Sequence, residues 1–136
     1  MQFIRDNIGL ILAACLSGVM LLWLQFGNRL RGVKEVTSVE ALQLINHKNA
    51  LVLDVRETDE FKAGHILNSK VIPLGKLRER IGELERYHDQ PIVVVCRTEQ
   101  RSNAACVLLG KQGFRQVYNL KGGVLAWQKA SLPLEK

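Results

Sequence analysis

No Cys-x-x-Cys pair occurs in this chain, and its three cysteines, at positions 15, 96 and 106, stand apart from the scattered His47, His65 and His88. Such spacing offers no metal-ligand cluster, so neither a metal site nor a metal cofactor is expected. An odd, unpaired set of cysteines also argues against a disulfide-stapled secreted domain and suits a reducing compartment. The formal net charge of +6 is not gathered into any dense basic run. That surplus suits small anions or anionic lipid, and no nucleic-acid partner is expected. Repeats and low-complexity tracts are missing too, and 136 residues hold one ordinary domain.

A long apolar run, by contrast, is present. From Ile8 to Phe26 there is no charged residue, a length of about 28 Å as a helix and close to the hydrocarbon thickness of a bilayer. This reads as a transmembrane span over residues 8–26, with Trp23 at an interface. A cleavable signal peptide would leave through small residues, whereas this run ends in Gln25-Phe26-Gly27-Asn28-Arg29. Arg29, Arg31 and Lys34 follow the run, while Arg5 before it is offset by Asp6. The positive-inside rule then puts the remainder in the cytoplasm. The expected organisation is a membrane anchor and tether over 1–34 and a domain over 35–136, at the cell membrane as a single-pass protein with the membrane as a partner. Cys15 would lie inert in lipid.

After the tether, Thr37-Ser38-Val39-Glu40 has the form of a capping box, and Ala41, Leu42, Leu44 and Ile45 continue at helical spacing to about His47. Leu51 to Val55 and Ile92 to Val95 are nearly continuous apolar runs, short enough for strands buried on both faces. Between them Asp59 to Ala63 predicts a helical turn, Val71-Ile72 a short strand stopped by Pro73, and Leu77 to Leu84 a helix. Ala104, Ala105, Val107 and Leu108 give a later helix an apolar face, with Cys106 read as packing. Val117 to Leu120 predicts a last strand, Gly122-Gly123 a turn, and Val124 to Lys129 a closing helix. Strands alternating with helices predict an α/β domain: a central, mostly parallel sheet with helices on both faces.

The chemistry concentrates in Cys96-Arg97-Thr98-Glu99-Gln100-Arg101-Ser102. Cys96 closes a buried strand, at the end where open α/β sheets put their ligands. Four residues separate it from Arg101, so the chain turns tightly around the sulfur before a helix begins. Loop N-H groups, the helix N-terminus and the cations Arg97 and Arg101 all favour the thiolate, which attacks sulfur and phosphorus electrophiles. A buried structural cysteine has no need of flanking arginines.

Four ordered segments resemble the single-domain rhodaneses, the thiosulfate sulfurtransferase-like family. They are Asp54-Val55-Arg56-Glu57 with Glu60-Phe61 and Gly64-His65-Ile66; Val71-Ile72-Pro73-Leu74; Cys96 to Ser102; and Leu120-Lys121-Gly122-Gly123 with Ala126-Trp127 and Leu132-Pro133. The match runs over about residues 35 to 134 and implies a rhodanese-like fold and a sulfur relay without a cofactor. Cys96 would take sulfur from a small sulfur-containing anion or a persulfide donor and pass it to a thiol or protein acceptor. By position, the resemblance makes Cys96 catalytic and the loop Arg97, Thr98, Glu99, Gln100 and Arg101 substrate-binding. Asp54 and Arg56 support the site, read here chiefly as a structural ion pair, and His65 belongs to the fold.

The family loop usually has glycine where this chain has Glu99. Its presence predicts a left-handed residue strained by about 1 kcal/mol, and a carboxylate repelling an anionic donor by about 2 kcal/mol per like charge. Thiosulfate is then a poorer donor than a protein persulfide or small thiol. Two other functions compete with a membrane-tethered sulfurtransferase. A related phosphatase loop has five residues between cysteine and arginine, where this chain has four, which disfavours phosphoryl transfer. A non-catalytic rhodanese-like interaction module at the membrane surface is the alternative, and Cys96 is the residue it would have no need to keep.

Overall fold

The computed structural model describes residues 1–30 and 33–136, with side chains omitted over 25–30. It divides into two compact units, Met1–Arg31 and Gly32–Lys136. The first holds helix α1 (Gln2–Asp6) and helix α2 (Ile8–Leu30). In α2 Leu10, Leu12, Leu16, Met20, Leu22 and Trp23 are each more than half exposed.

The expected membrane span requires correction, because among the described residues no helix is long and apolar enough to cross a membrane. Residues 25 and 26 of the expected span, and the flanking Arg29 and Arg31, lie outside the described side chains. With the span go the single-pass placement at the cell membrane, the cytoplasmic orientation derived from it, and the membrane as a partner.

The second unit is an α/β sandwich. In chain order it runs through β1 (Lys34–Val36), α3 (Ser38–Lys48), β2 (Leu51–Asp54), α4 (Thr58–Ala63), β3 (His65–Ile66), β4 (Lys70–Val71) and α5 (Leu74–Arg80). A 3-10 turn over Ile81–Tyr87 leads into β5 (Ile92–Val95), α6 (Gln100–Lys111), β6 (Val117–Leu120), α7 (Gly123–Lys129) and β7 (Leu134–Glu135). Five strands form one sheet in the order β1-β6-β5-β2-β4, all pairs parallel. A separate antiparallel pair joins β3 to β7.

The apolar runs do what their composition requires. Along β5, Ile92 and Val94 pack with Leu77, Leu84, Ala105 and Leu109 on one face. Val93 and Val95 pack with Ala41, Val124 and Trp127 on the other. Side chains alternate across a strand, so a strand covered on both faces must be apolar throughout. Hence α5 and α6 cover one face and α3 and α7 the other.

Local signals set the helix starts. Thr37 caps α3, its hydroxyl accepting the Glu40 N-H at 3.2 Å. A full capping box that the sequence reading does not include opens α4, between Glu57 and Glu60. The predicted helix over 77–84 begins earlier, at Leu74, and gives way to the 3-10 turn at Ile81. Three strands lie outside the sequence expectation: β1, which straddles the expected tether boundary at residue 34, β3 and β7.

Topology then positions a crevice. From β2 the chain moves outward to β4, and the next sheet strand, β5, lies on the other side of β2. Connections diverge at the carboxyl ends of β2 and β5, the place where open parallel sheets leave room for a ligand. Asp54 ends one of these strands and Cys96 follows the other.

Candidate functional site

Cys96 is 1% exposed and lies at the mouth of the loop that connects β5 to α6. Ser102 is the third residue of α6, where a helix has an N-H without a partner in its own helix. The Glu99 side chain makes no cap bond. The cysteine sulfur takes that role instead, with the Ser102 N-H pointing to Sγ at 3.4 Å. The thiol in turn lies 3.4 Å from the Ser102 hydroxyl. Ser102 and Cys96 are thus held together by the opening turn of the helix.

The loop is clamped from behind by α7. Val124 N-H donates to the Cys96 carbonyl at 2.9 Å and Leu125 N-H to the Arg97 carbonyl at 3.3 Å. This approach explains Gly123. Gly123 has φ +60°, and a Cβ there would collide with the carbonyl oxygens of Thr98 and Cys96. Only a residue without a side chain lets α7 start that close to the loop.

The two arginines of the loop have different surroundings. Arg101 is held by Glu60 of α4 through two bonds, Nη1 to Oε1 at 2.7 Å and Nη2 to Oε2 at 2.9 Å. That guanidinium holds the Glu60 carboxyl at about 2, well below its ordinary 4.5. Arg101 is pushed further up by the same bond, and to a smaller extent by its nearness to Cys96. The Arg101 cation is thus already paired, its fork filled by Glu60. Arg97 is exposed, and among the described residues it makes no ion pair. It lines a cavity of about 280 Å³ with Arg56, Glu60, Val124, Leu125 and Leu134.

Asp54 and Arg56 bond to each other. Arg56 Nη2 lies 2.7 Å from Asp54 Oδ2 and also donates to the Gly64 carbonyl at 2.8 Å. Both are buried, Asp54 at 0% and Arg56 at 6% exposure, so the pair ties β2 to the end of α4. His65 stacks on Phe61 with ring centroids 3.7 Å apart. Its two ring nitrogens face Phe61 O at 2.9 Å and Glu135 Oε1 at 3.2 Å.

Glu99 departs from expectation in its backbone. With φ −168° it is extended, a conformation open to any residue, and the predicted left-handed strain is absent. The loop meets its turn without a positive φ, so glycine is not required there. One carboxylate oxygen, Oε2, is buried without a hydrogen-bond partner. Thr98 and Gln100 are exposed, Thr98 facing α7 through its carbonyl and Gln100 opening α6. Cys106 lies in the core, where burial pushes its thiol up to about 12, and chemistry there is suppressed.

The sequence alone assigns Gly123 only to a turn and gives no role to Glu60, the Ser102 hydroxyl or Asn119. The Ser102 hydroxyl approaches Asn119 Oδ1 at 2.5 Å. Asn119 carried a usable signal: it is a lone amide inside Val117-Tyr118-Asn119-Leu120, a strand that is otherwise apolar or aromatic, and it is 2% exposed.

The profile of the Rhodanese-like domain family matches residues 37–130. The uncharacterized protein YibN of Escherichia coli is 36% identical over 135 residues, covering 98% of this chain and 94% of that protein. Thiosulfate sulfurtransferase GlpE of Pseudoalteromonas translucida is 31% identical over 97 residues, 71% of this chain and 90% of that enzyme. Among solved structures, a rhodanese-related protein from Thermoplasma volcanium superposes with a TM-score of 0.68 at 32% identity, covering 75% of this chain and 97% of that one.

Proposed function

The chain belongs to the rhodanese-like family, and from that premise we propose that it is a sulfurtransferase working through a persulfide on Cys96. The supporting observation is the seating of that sulfur at the first turn of α6, 3.4 Å from the Ser102 N-H. A thiolate there gains from the helix end and from a donor already aimed at it. In the loading step the Cys96 thiolate attacks the outer sulfur of the donor. With thiosulfate the S-S bond breaks, sulfite leaves with its electron pair, and Cys96 carries S-S⁻. In the unloading step an acceptor thiol attacks the outer sulfur, its proton passes to the departing persulfide product, and the Cys96 thiolate returns.

Arg97 is the cation that greets an anionic donor, since Arg101 is occupied by Glu60. A protein persulfide or small persulfide approaches through the cavity beside Arg97, whose walls Val124, Leu125 and Leu134 accept an apolar body. The buried Glu99 carboxylate oxygen adds negative potential to the loop and makes a doubly charged donor less favourable than a singly charged one.

Initial rates across donor and thiol-acceptor concentrations test the reading. Parallel double-reciprocal lines are expected, the mark of a covalent sulfur-enzyme formed before acceptor binds. Cys96→Ser is expected to be inactive with an unchanged thermal transition. Turnover retained in that variant would overturn the proposal, and a folded wild type without turnover would favour the interaction-module alternative.

A further inference from the structure

Ser102, Asn119 and the Glu99 carbonyl form a buried polar group behind the Cys96 sulfur. Ser102 is 0% and Asn119 2% exposed. In register Asn119 lies beside Val94, and Val94 packs on the face covered by α6. Asn119 therefore meets α6 at its opening turn, two residues past which on β5 the cysteine begins its loop. The Ser102 hydroxyl donates to Asn119 Oδ1 at 2.5 Å and lies 3.1 Å from the Glu99 carbonyl. Asn119 Nδ2 donates to that same carbonyl at 3.4 Å, and the Asn103 N-H does so at 3.1 Å.

A serine hydroxyl has one proton and here has three acceptors around it: Asn119 Oδ1, the Glu99 carbonyl and Cys96 Sγ. While Cys96 is a thiol, its S-H points to Ser102 Oγ, and the hydroxyl proton is given to Asn119. A thiolate has no proton to give and needs donors. We propose that Ser102 and Asn119 form a reversible hydrogen-bond relay in which the Ser102 hydroxyl turns to Cys96 Sγ when the thiol ionises. Asn119 is the positioning residue that makes the turn possible. A half-turn of its amide presents Nδ2 to Ser102 Oγ, so all bonds then run from Asn119 through Ser102 toward the sulfur. The half-turn leaves Oδ1 where Nδ2 lay, so the Glu99 carbonyl exchanges its longest bond, 3.4 Å from Nδ2, for a non-bonded oxygen and keeps the Asn103 N-H. An amide suits this place because it carries a donor and an acceptor on one planar group, and a carboxylate would carry only acceptors.

This relay deepens the persulfide reading, since the same donor would face each anionic form of the sulfur, but its test uses no sulfur donor. The pH titration of far-ultraviolet thiolate absorbance is followed in the full chain, with Cys96→Ser as the blank. Ser102→Ala is expected to move the Cys96 midpoint upward by about one unit, a tenfold smaller thiolate-to-thiol ratio at fixed pH below the midpoint. Asn119→Asp keeps the shape, holds the hydroxyl proton permanently and is expected to move it upward at least as far. A role confined to packing would lower the thermal transition and leave the Ser102→Ala midpoint in place. A new carboxylate raises a neighbouring thiol's midpoint by charge alone, so the role of Asn119 is read from Ser102→Ala combined with Asn119→Asp, where shifts that simply add overturn it. A midpoint within about 0.3 unit of the parent in folded Ser102→Ala overturns the relay, and the same result in folded Asn119→Asp overturns the role of Asn119. Upward shifts in a chain that takes up no sulfur would support the relay while removing the transfer reading, and unshifted midpoints in an active enzyme would remove the relay alone.

Discussion

Replacing Glu60 by Gln keeps the shape of the side chain and removes the charge that holds Arg101. The depression of the Glu60 carboxyl from 4.5 to about 2 corresponds to about 3.4 kcal/mol at 1.36 kcal/mol per unit. That is an upper bound, because the Arg101 and Glu60 side chains are 36% and 33% exposed and water screens them. Pairs of that kind contribute about 1 kcal/mol after screening, so Glu60→Gln is expected to destabilise the domain by about 1 kcal/mol at pH 7, roughly 4 °C in Tm. A depressed carboxyl contributes fully above its unfolded value and loses that contribution as pH falls through its folded value. The difference between parent and variant should therefore be full above the unfolded value of about 4.5, shrink as pH falls below it, and be gone below about 2. Urea unfolding of both proteins at several pH values measures it. A difference of equal size at pH 7 and near 2.5 would refute the assignment of the stability to the ion pair. The same variant releases Arg101, so KM for thiosulfate should fall while KM for an uncharged acceptor stays in place.

Gly123→Ala should cost about 2–4 kcal/mol, combining a left-handed residue with collision against the loop carbonyls, and should abolish transfer; a stability within 0.5 kcal/mol of the parent would show that α7 and the loop are not locked together. Glu99→Gly is expected to raise the rate with thiosulfate by removing charge near the donor, without any gain in Tm, because Glu99 is extended and has no left-handed strain to relieve. A higher Tm in that variant would contradict the backbone reading. At neutral pH, alkylation should spare Cys106, whose thiol is pushed up to about 12 by burial, and peptide mapping after iodoacetamide reads this directly.

Much of the fold is legible in the sequence because its strongest signals are local. Ile92 to Val95 is a central strand since each of its residues meets a covered face, and the cysteine that follows it arrives at the sheet's carboxyl edge. Less legible are the features fixed by distant partners. Strand β1 is only Lys34–Val36, polar and short, and becomes a strand by lying beside Val117–Leu120. Strand β7 exists through its pairing with His65 and Ile66, far back in the chain. Arg101 looks like a free cation in one dimension, and its occupation by Glu60 depends on how α4 packs. The Glu99 backbone and the Asn119 amide are likewise set by tertiary packing, and no short-range pattern carries them. For the apolar N-terminal stretch the helix is real, but membrane crossing is not supported over the described residues.

The central claim is that Cys96 holds the transferred sulfur, and intact-mass analysis before and after incubation with a sulfur donor tests it most directly. The account predicts a gain of one sulfur atom, mapped to the Cys96 peptide, removed by a thiol acceptor and absent from Cys96→Ser. A folded protein that gains no sulfur with thiosulfate or with a persulfide donor, or that gains it on Cys106, would contradict it.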